Sequence, residues 1–169
     1  MTFPDIISLG IAFRLPRATL TFDAEQIRWS SFRNQELNLK REAPPVAADS
    51  STPLDWRNIW TLRAGIEVPL SGATALRAGY AYVPSPIPEH TLSPAAPDGA
   101  MHHLSIGFGH KLRDGLALDV FYTAGIGRKR NVANAILSGA YDNTTHYAGV
   151  SIAQVRITRR ENSPEIFVT

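Results

Sequence analysis

An all-β fold, an antiparallel up-and-down sheet of about seven strands, is predicted by three features of this 169-residue sequence. Apolar residues recur at every second position in one segment after another, the period of a strand with one apolar and one polar face. No segment carries the 3.6-residue period of a helix. Between the segments, short turn-like connections and long ones alternate strictly.

The first segment sets Ile7, Leu9, Ile11 and Phe13 against Ser8, Gly10, Ala12 and Arg14, and ends at Pro16-Arg17. Leu20, Phe22 and Ala24 then alternate with Thr19, Thr21, Asp23 and Glu25. After a long connection, about 33–57, Trp60, Leu62, Ala64, Ile66 and Val68 alternate with Thr61, Arg63, Gly65 and Glu67. A short connection, 69–73, leads to Leu76, Ala78, Tyr80 and Tyr82, set against Ala75, Arg77, Gly79 and Ala81. The proline-rich connection at about 84–101 precedes Leu104, Ile106 and Phe108, which oppose His103, Ser105, Gly107 and Gly109. The turn 111–115 follows, and then Leu116, Leu118, Val120 and Tyr122 oppose Ala117, Asp119, Phe121 and Thr123. Beyond the third long connection, 127–144, a less regular segment at about 145–158 sets Tyr147, Gly149 and Ser151 against Ala148, Val150 and Ile152. Pro, Gly, Ser and Asp in the short connections suit hairpin turns.

Several segments run to about ten residues, longer than the five or six usual in globular sheets and near the 9–11 of a tilted membrane-crossing strand. Charges stand mid-segment on the polar face: Asp23, Glu25, Arg63, Glu67, Arg77 and Asp119. Strand period alone fits either a sandwich whose polar face meets water or a barrel whose polar face lines a lumen. The connections favour the barrel, because long loops at one end and short turns at the other mark an outer-membrane barrel. Short turns on the periplasmic side make the first strand start outside and the seventh end inside. Seven such strands leave two edges running in the same direction, which cannot pair antiparallel, and no secretory signal precedes them. The expectation is a part of a longer barrel. In that setting Trp29, Trp56, Trp60, Tyr80, Tyr82, Tyr122, Tyr141 and Tyr147 become candidates for the interfacial girdles, with core packing the alternative for any one of them.

Composition narrows the function. There are 17 Lys+Arg and 15 Asp+Glu, a net charge of +2 with no basic stripe, which argues against nucleic acid. No stretch approaches the ~18 apolar residues of a membrane-spanning helix. The absence of cysteine removes thiolate metal sites, disulfides and thiol catalysis.

Specific residues suggest a family. Trp29-Ser30-Ser31-Phe32 resembles the Trp-Ser-x-Phe of the FadL/OmpP1/TodX outer-membrane transporters of hydrophobic compounds. Asp55-Trp56-Arg57-Asn58 with Leu62-Arg63-Ala64-Gly65 is similar to the same family. So are Leu76-Arg77-Ala78-Gly79-Tyr80, then Ser85-Pro86-Ile87-Pro88, Thr91, Pro94 and Pro97-Asp98. Gly139-Ala140-Tyr141 matches a family Gly-x-Tyr. The resemblance implies a 14-stranded barrel, plugged by an N-terminal hatch, that passes long-chain fatty acids or aromatic hydrocarbons through a lumenal pocket and a gap in its wall. Residues 1–158 would then be the C-terminal half of the barrel, with 159–169 a C-terminal tail. Hatch and gap strands lie outside the resemblance. It also implies a place in the bacterial outer membrane, with outer-membrane lipid or lipopolysaccharide and the barrel-assembly machinery as partners, and no cofactor.

A fatty-acid route needs an apolar slot and one or two cations for the carboxylate, which the planar arginine fork suits. Arg57, Arg63 and Arg77 are the candidates. By resemblance Arg57 occupies a family Lys/Arg position. For Arg63 and Arg77 the alternative is a lumenal charge ladder with Asp23, Glu25, Glu67 and Asp119. An outer-membrane esterase is a second hypothesis, because His103 and Ser105 share a face and Asp119 could lie on the next strand. His102, His103 and His110 lack metal-ligand spacing, so no metal site is expected. A soluble or surface β-barrel that binds lipid, or an adhesin module, is the third.

Overall fold

In a computed structural model, residues 3–38, 49–93, 98–112, 115–133 and 138–154 are described. Seven long antiparallel strands form one sheet: β1 (Ile6–Leu15), β2 (Ala18–Ile27), β5 (Ile59–Pro69), β6 (Thr74–Val83), β7 (Met101–Lys111), β8 (Leu116–Gly127) and β11 (Thr144–Gln154). The order β1-β2-β5-β6-β7-β8-β11 pairs every strand with its predecessor among the long ones, so the up-and-down order expected from the sequence is the order found. Four short strands make two hairpins inside the long connections, β3 (Asn34–Leu37) with β4 (Ser50–Pro53) and β9 (Arg130–Ala133) with β10 (Ser138–Tyr141). The expected tail, 159–169, and the last residues of the seventh segment lie outside the described residues.

The turns follow from their residues. Leu15 lies opposite Ala18, so Pro16-Arg17 is a two-residue hairpin that proline's fixed φ favours. Between β5 and β6, the Ser71 hydroxyl accepts hydrogen bonds from the N–H groups of Ala73 and Thr74 at 3.2 and 3.1 Å. Gly115 closes the β7–β8 turn at φ 74°, a left-handed conformation that suits a residue without Cβ.

Register turns the alternation of the sequence into two continuous faces. On one, the row Leu9–Ala24–Leu62–Tyr82–His102–Ile126–Thr144 crosses the whole sheet, and the rows toward the short turns add Ile11, Phe22, Ile66, Leu76, Ile106, Phe108, Tyr122, Val150 and Ile152. We call this face outward. The opposite, inward face carries Asp23, Glu25, Arg63, Glu67, Arg77, Ser105, Asp119, Thr123 and Ser151. Among the described residues no second layer covers the apolar side. Leu62 is 50% exposed and Val150 69%, as expected of the lipid-facing side of a barrel wall.

The buried apolar cluster sits elsewhere. Ile87, Leu92 and Val132 form it, with Trp56 and Tyr141 packed against them, all contributed by the long connections. Trp29 meets Trp56 edge-on with ring centroids 5.1 Å apart, and Phe32 stacks on Trp56 at 5.4 Å. These connections therefore fold into a cap at one end of the sheet. Trp29, Trp56 and Tyr141, girdle candidates in the sequence, belong to this cap because they lie in the connections, not on the seven long strands. Tyr147 is corrected as well, since its register with Thr123 places it on the inward face. Trp60, Tyr80, Tyr82 and Tyr122 do lie outward.

Candidate functional site: the inward wall and the cap-side rim

The inward charges pair in two groups. Arg63 donates from Nη2 to Glu25 Oε1 at 2.9 Å across β5 and β2. Arg77 donates from Nε to Glu67 Oε2 at 2.6 Å and from Nη1 to Asp119 Oδ1 at 2.5 Å. The second contact spans from β6 to β8, over the intervening β7. Glycine makes that reach available: a Cβ on Gly109 would stand 2.6 Å from Asp119 Oδ1 and 2.8 Å from Arg77 Nη1. Half-exposed pairs of this kind are worth at most about 1 kcal/mol each in water. Their effect here is to neutralise the cations of the inward face. Asp23 is Arg63's direct register partner, yet it makes no ion pair among the described residues and lies over Gly10 instead.

Gly109 is one case of a general arrangement that sequence reasoning missed. All eight glycines of the long strands (10, 65, 79, 107, 109, 125, 127 and 149) fall on the inward face. Thr21 lies over Gly65, Phe121 over Gly149, and both His103 and Thr145 over Gly125. Glycine in a strand interior costs packing and entropy, so its restriction to one face signals that neighbouring side chains use the space. The signal was available in the sequence: every one of these glycines sits in the polar half of the alternation.

The hydrolase constellation does not assemble. Ser105 Oγ pairs with Thr123 Oγ1 at 2.9 Å, and Asp119 is taken by Arg77. The histidines divide between faces. His102 and His110 lie outward, where their Nδ1 atoms share hydrogen bonds with the Tyr80 hydroxyl at 2.7 Å and the Thr74 hydroxyl at 2.8 Å. His103 lies inward. No group of three or more metal-ligating side chains occurs among the described residues.

Arg57 stands apart from the other two candidate arginines. Its backbone N–H donates to Pro86 O at 2.9 Å, and its exposed guanidinium makes no hydrogen bond or ion pair among the described residues. It borders a cavity of about 700 Å³ in the cap, which Tyr82, Ala100, Arg128, Lys129 and Arg130 also line. Arg130 is committed to the cap, donating to Ser85 Oγ at 3.1 Å, Asp98 O at 3.3 Å and Ile87 O at 2.7 Å. The structure thus brings Arg63 and Arg77 to the inward wall among carboxylates and Arg57 to the rim among cations.

Comparison with known proteins agrees with this architecture. The family described as outer membrane protein transport protein (OMPP1/FadL/TodX) matches residues 1–158. A solved FadL homologue from Pseudomonas aeruginosa superposes with a TM-score of 0.69 at 24% identity, covering 88% of this chain and 34% of that one. The Pseudomonas putida toluene transporter TodX superposes with a TM-score of 0.56 at 16% identity, covering 86% and 32%. At these identities the likeness is one of fold, and the chain spans about a third of the length of each structure. No curated protein matches it. With a family match over nearly all of its length and the two-faced wall of such barrels, the chain belongs to the OMPP1/FadL/TodX family of bacterial outer-membrane transport proteins.

Proposed function

We propose that residues 1–158 supply the second half of a barrel wall through which hydrophobic compounds, long-chain fatty acids among them, cross the outer membrane. The observation that carries this reading is the pair of faces: apolar and uncovered outward, polar and internally neutralised inward. Membership of a transport family supports it. The barrel-assembly machinery and the surrounding lipids are the partners such a wall requires.

Arg63 and Arg77 brace the wall in this reading. A carboxylate passing along the inward face meets them only in competition with Glu25, or with Glu67 and Asp119. Uptake is therefore governed by apolarity more than by head-group charge. The test is uptake of labelled oleate and of toluene by cells that lack the protein and by cells resupplied with it. Both rates are expected to fall and recover together, and unchanged rates overturn the proposal. Arg63→Gln is expected to lower the two uptakes by similar factors. Loss of oleate uptake with toluene uptake intact would instead make Arg63 a head-group contact.

A further inference from the structure

We propose that the cavity at the cap-side rim binds the phosphorylated head group of an outer-leaflet glycolipid, the lipid A portion of lipopolysaccharide, and so fixes the height of this wall in the membrane. Three observations converge on it.

The first is its side of the wall. Tyr82 lies on the outward face, in the row Leu62–Tyr82–His102–Ile126. Past Met101 and Gly127, which pair on the inward face, the Arg128 N–H donates to Ala100 O at 2.9 Å and continues the ladder by one rung. Strand alternation then puts Ala100 and Arg128 outward. Tyr82, Ala100 and Arg128 thus give the cavity a side on the outward face.

Height is the second. On β7 the outward residues run from His102 through Leu104, Ile106 and Phe108 to His110. Eight residue steps at ~3.3 Å and a tilt of ~40° span roughly 20 Å, most of the ~25 Å apolar band of an outer-membrane barrel. At the cap-side end of that run His102 shares a hydrogen bond with the Tyr80 hydroxyl at 2.7 Å. Arg128 stands two rungs beyond the His102–Ile126 pair, at the level of head groups. Long loops face the cell exterior in such barrels, so these head groups belong to the outer leaflet.

Charge is the third. Arg57, Arg128 and Lys129 line the cavity, and none of the three makes a side-chain hydrogen bond or ion pair among the described residues. Arg130 adds a fourth cation held by the cap, and Glu89 is the one acid in the lining. Unneutralised arginines beside an apolar belt match a phosphate-bearing amphiphile, whose oxygens the guanidinium fork takes two at a time. At about 700 Å³ the cavity lies within the range of small-molecule sites.

This inference rests on the outer-membrane placement of the family and not on which compound is carried, so it can fail while the uptake reading stands. The test uses the whole protein extracted from its membrane into detergent. It is titrated with bis-phosphorylated lipid A and with the same lipid after dephosphorylation, and adducts are counted by native mass spectrometry. The phosphorylated form is expected to bind at least about tenfold more tightly. Removing two cations together, Arg128→Ala with Lys129→Ala, is expected to weaken it roughly 25-fold. Should that variant fail to fold, Lys129→Ala alone is expected to cost about fivefold. Equal binding of the two lipids, or unchanged binding by either variant, overturns the proposal. So does displacement by inorganic phosphate at the same concentration as lipid A, which would mark a free-anion site. Displacement of lipid A by palmitate at lower concentration would make the cavity a substrate station and likewise overturns it.

Discussion

Gly149 and Gly79 differ in one respect that decides what alanine would do at each. A Cβ at Gly149 runs into the Phe121 ring, whereas at Gly79 its nearest neighbours are 3.7 and 3.8 Å away, ordinary contact. Gly149→Ala is expected to lower barrel stability by roughly 1–3 kcal/mol through displacement of that ring. Gly79→Ala is expected to stay within about 0.5 kcal/mol of the parent. Urea unfolding in lipid vesicles measures both, and equal effects would refute the argument from occupied space. The faces of these residues were legible in the sequence, because alternation assigns Gly149 with Ser151 and Gly79 with Arg77. What lies over each glycine was not legible, since Phe121 reaches Gly149 only through the β8–β11 register. The same holds for the charges. That Arg63 and Arg77 share the polar face with acids could be read from period two, but Arg63's choice of Glu25 over its register partner Asp23 depends on side-chain reach.

Among the elements, the long connections show the sharpest divide between what sequence does and does not reveal. Their number, placement and turn-rich composition were readable. Their internal structure was not, for hairpin strands such as Asn34–Leu37 and Ser50–Pro53 are four residues long with no apolar alternation to announce them. Within the cap they build, one guanidinium ties two connections together. Arg130 joins the β9 hairpin to Ser85, Ile87 and Asp98 of the β6–β7 connection, alongside the buried trio Ile87, Leu92 and Val132. Hydrogen bonds from a charged donor are worth about 1.5–3 kcal/mol each, less what water returns to an exposed group. Arg130→Ala is expected to loosen the cap by about 2 kcal/mol or more while the sheet keeps its structure. Hydrogen exchange should then accelerate in residues 84–93 and 130–133 and stay unchanged in β7 and β8. Uniform acceleration would mean that the cap and the sheet unfold as one unit.

At the scale of the whole molecule the sheet has two edges, β1 and β11, and neither has a strand partner among the described residues. Seven alternating strands make these edges run the same way, so antiparallel closure takes an odd number of further strands. In hydrocarbon each unpaired backbone group costs several kcal/mol. This chain refolded by itself in lipid is therefore expected to give no heat-modifiable monomer on electrophoresis, and such a monomer with exchange-protected β1 and β11 amides would contradict the expected geometry. The alternation of connections made that parity readable before any coordinates. A ladder pairing Arg77 with Glu67 and Asp119 was legible in the sequence as one alternative, whereas its reach across β7 was not, and that reach carries a mechanical meaning. One guanidinium links β5, β6 and β8 across the intervening β7, so those three seams carry a side-chain tie beside their backbone ladders. On the proposed transport reading, a guest leaving sideways is expected to meet fewer such ties elsewhere along the circumference.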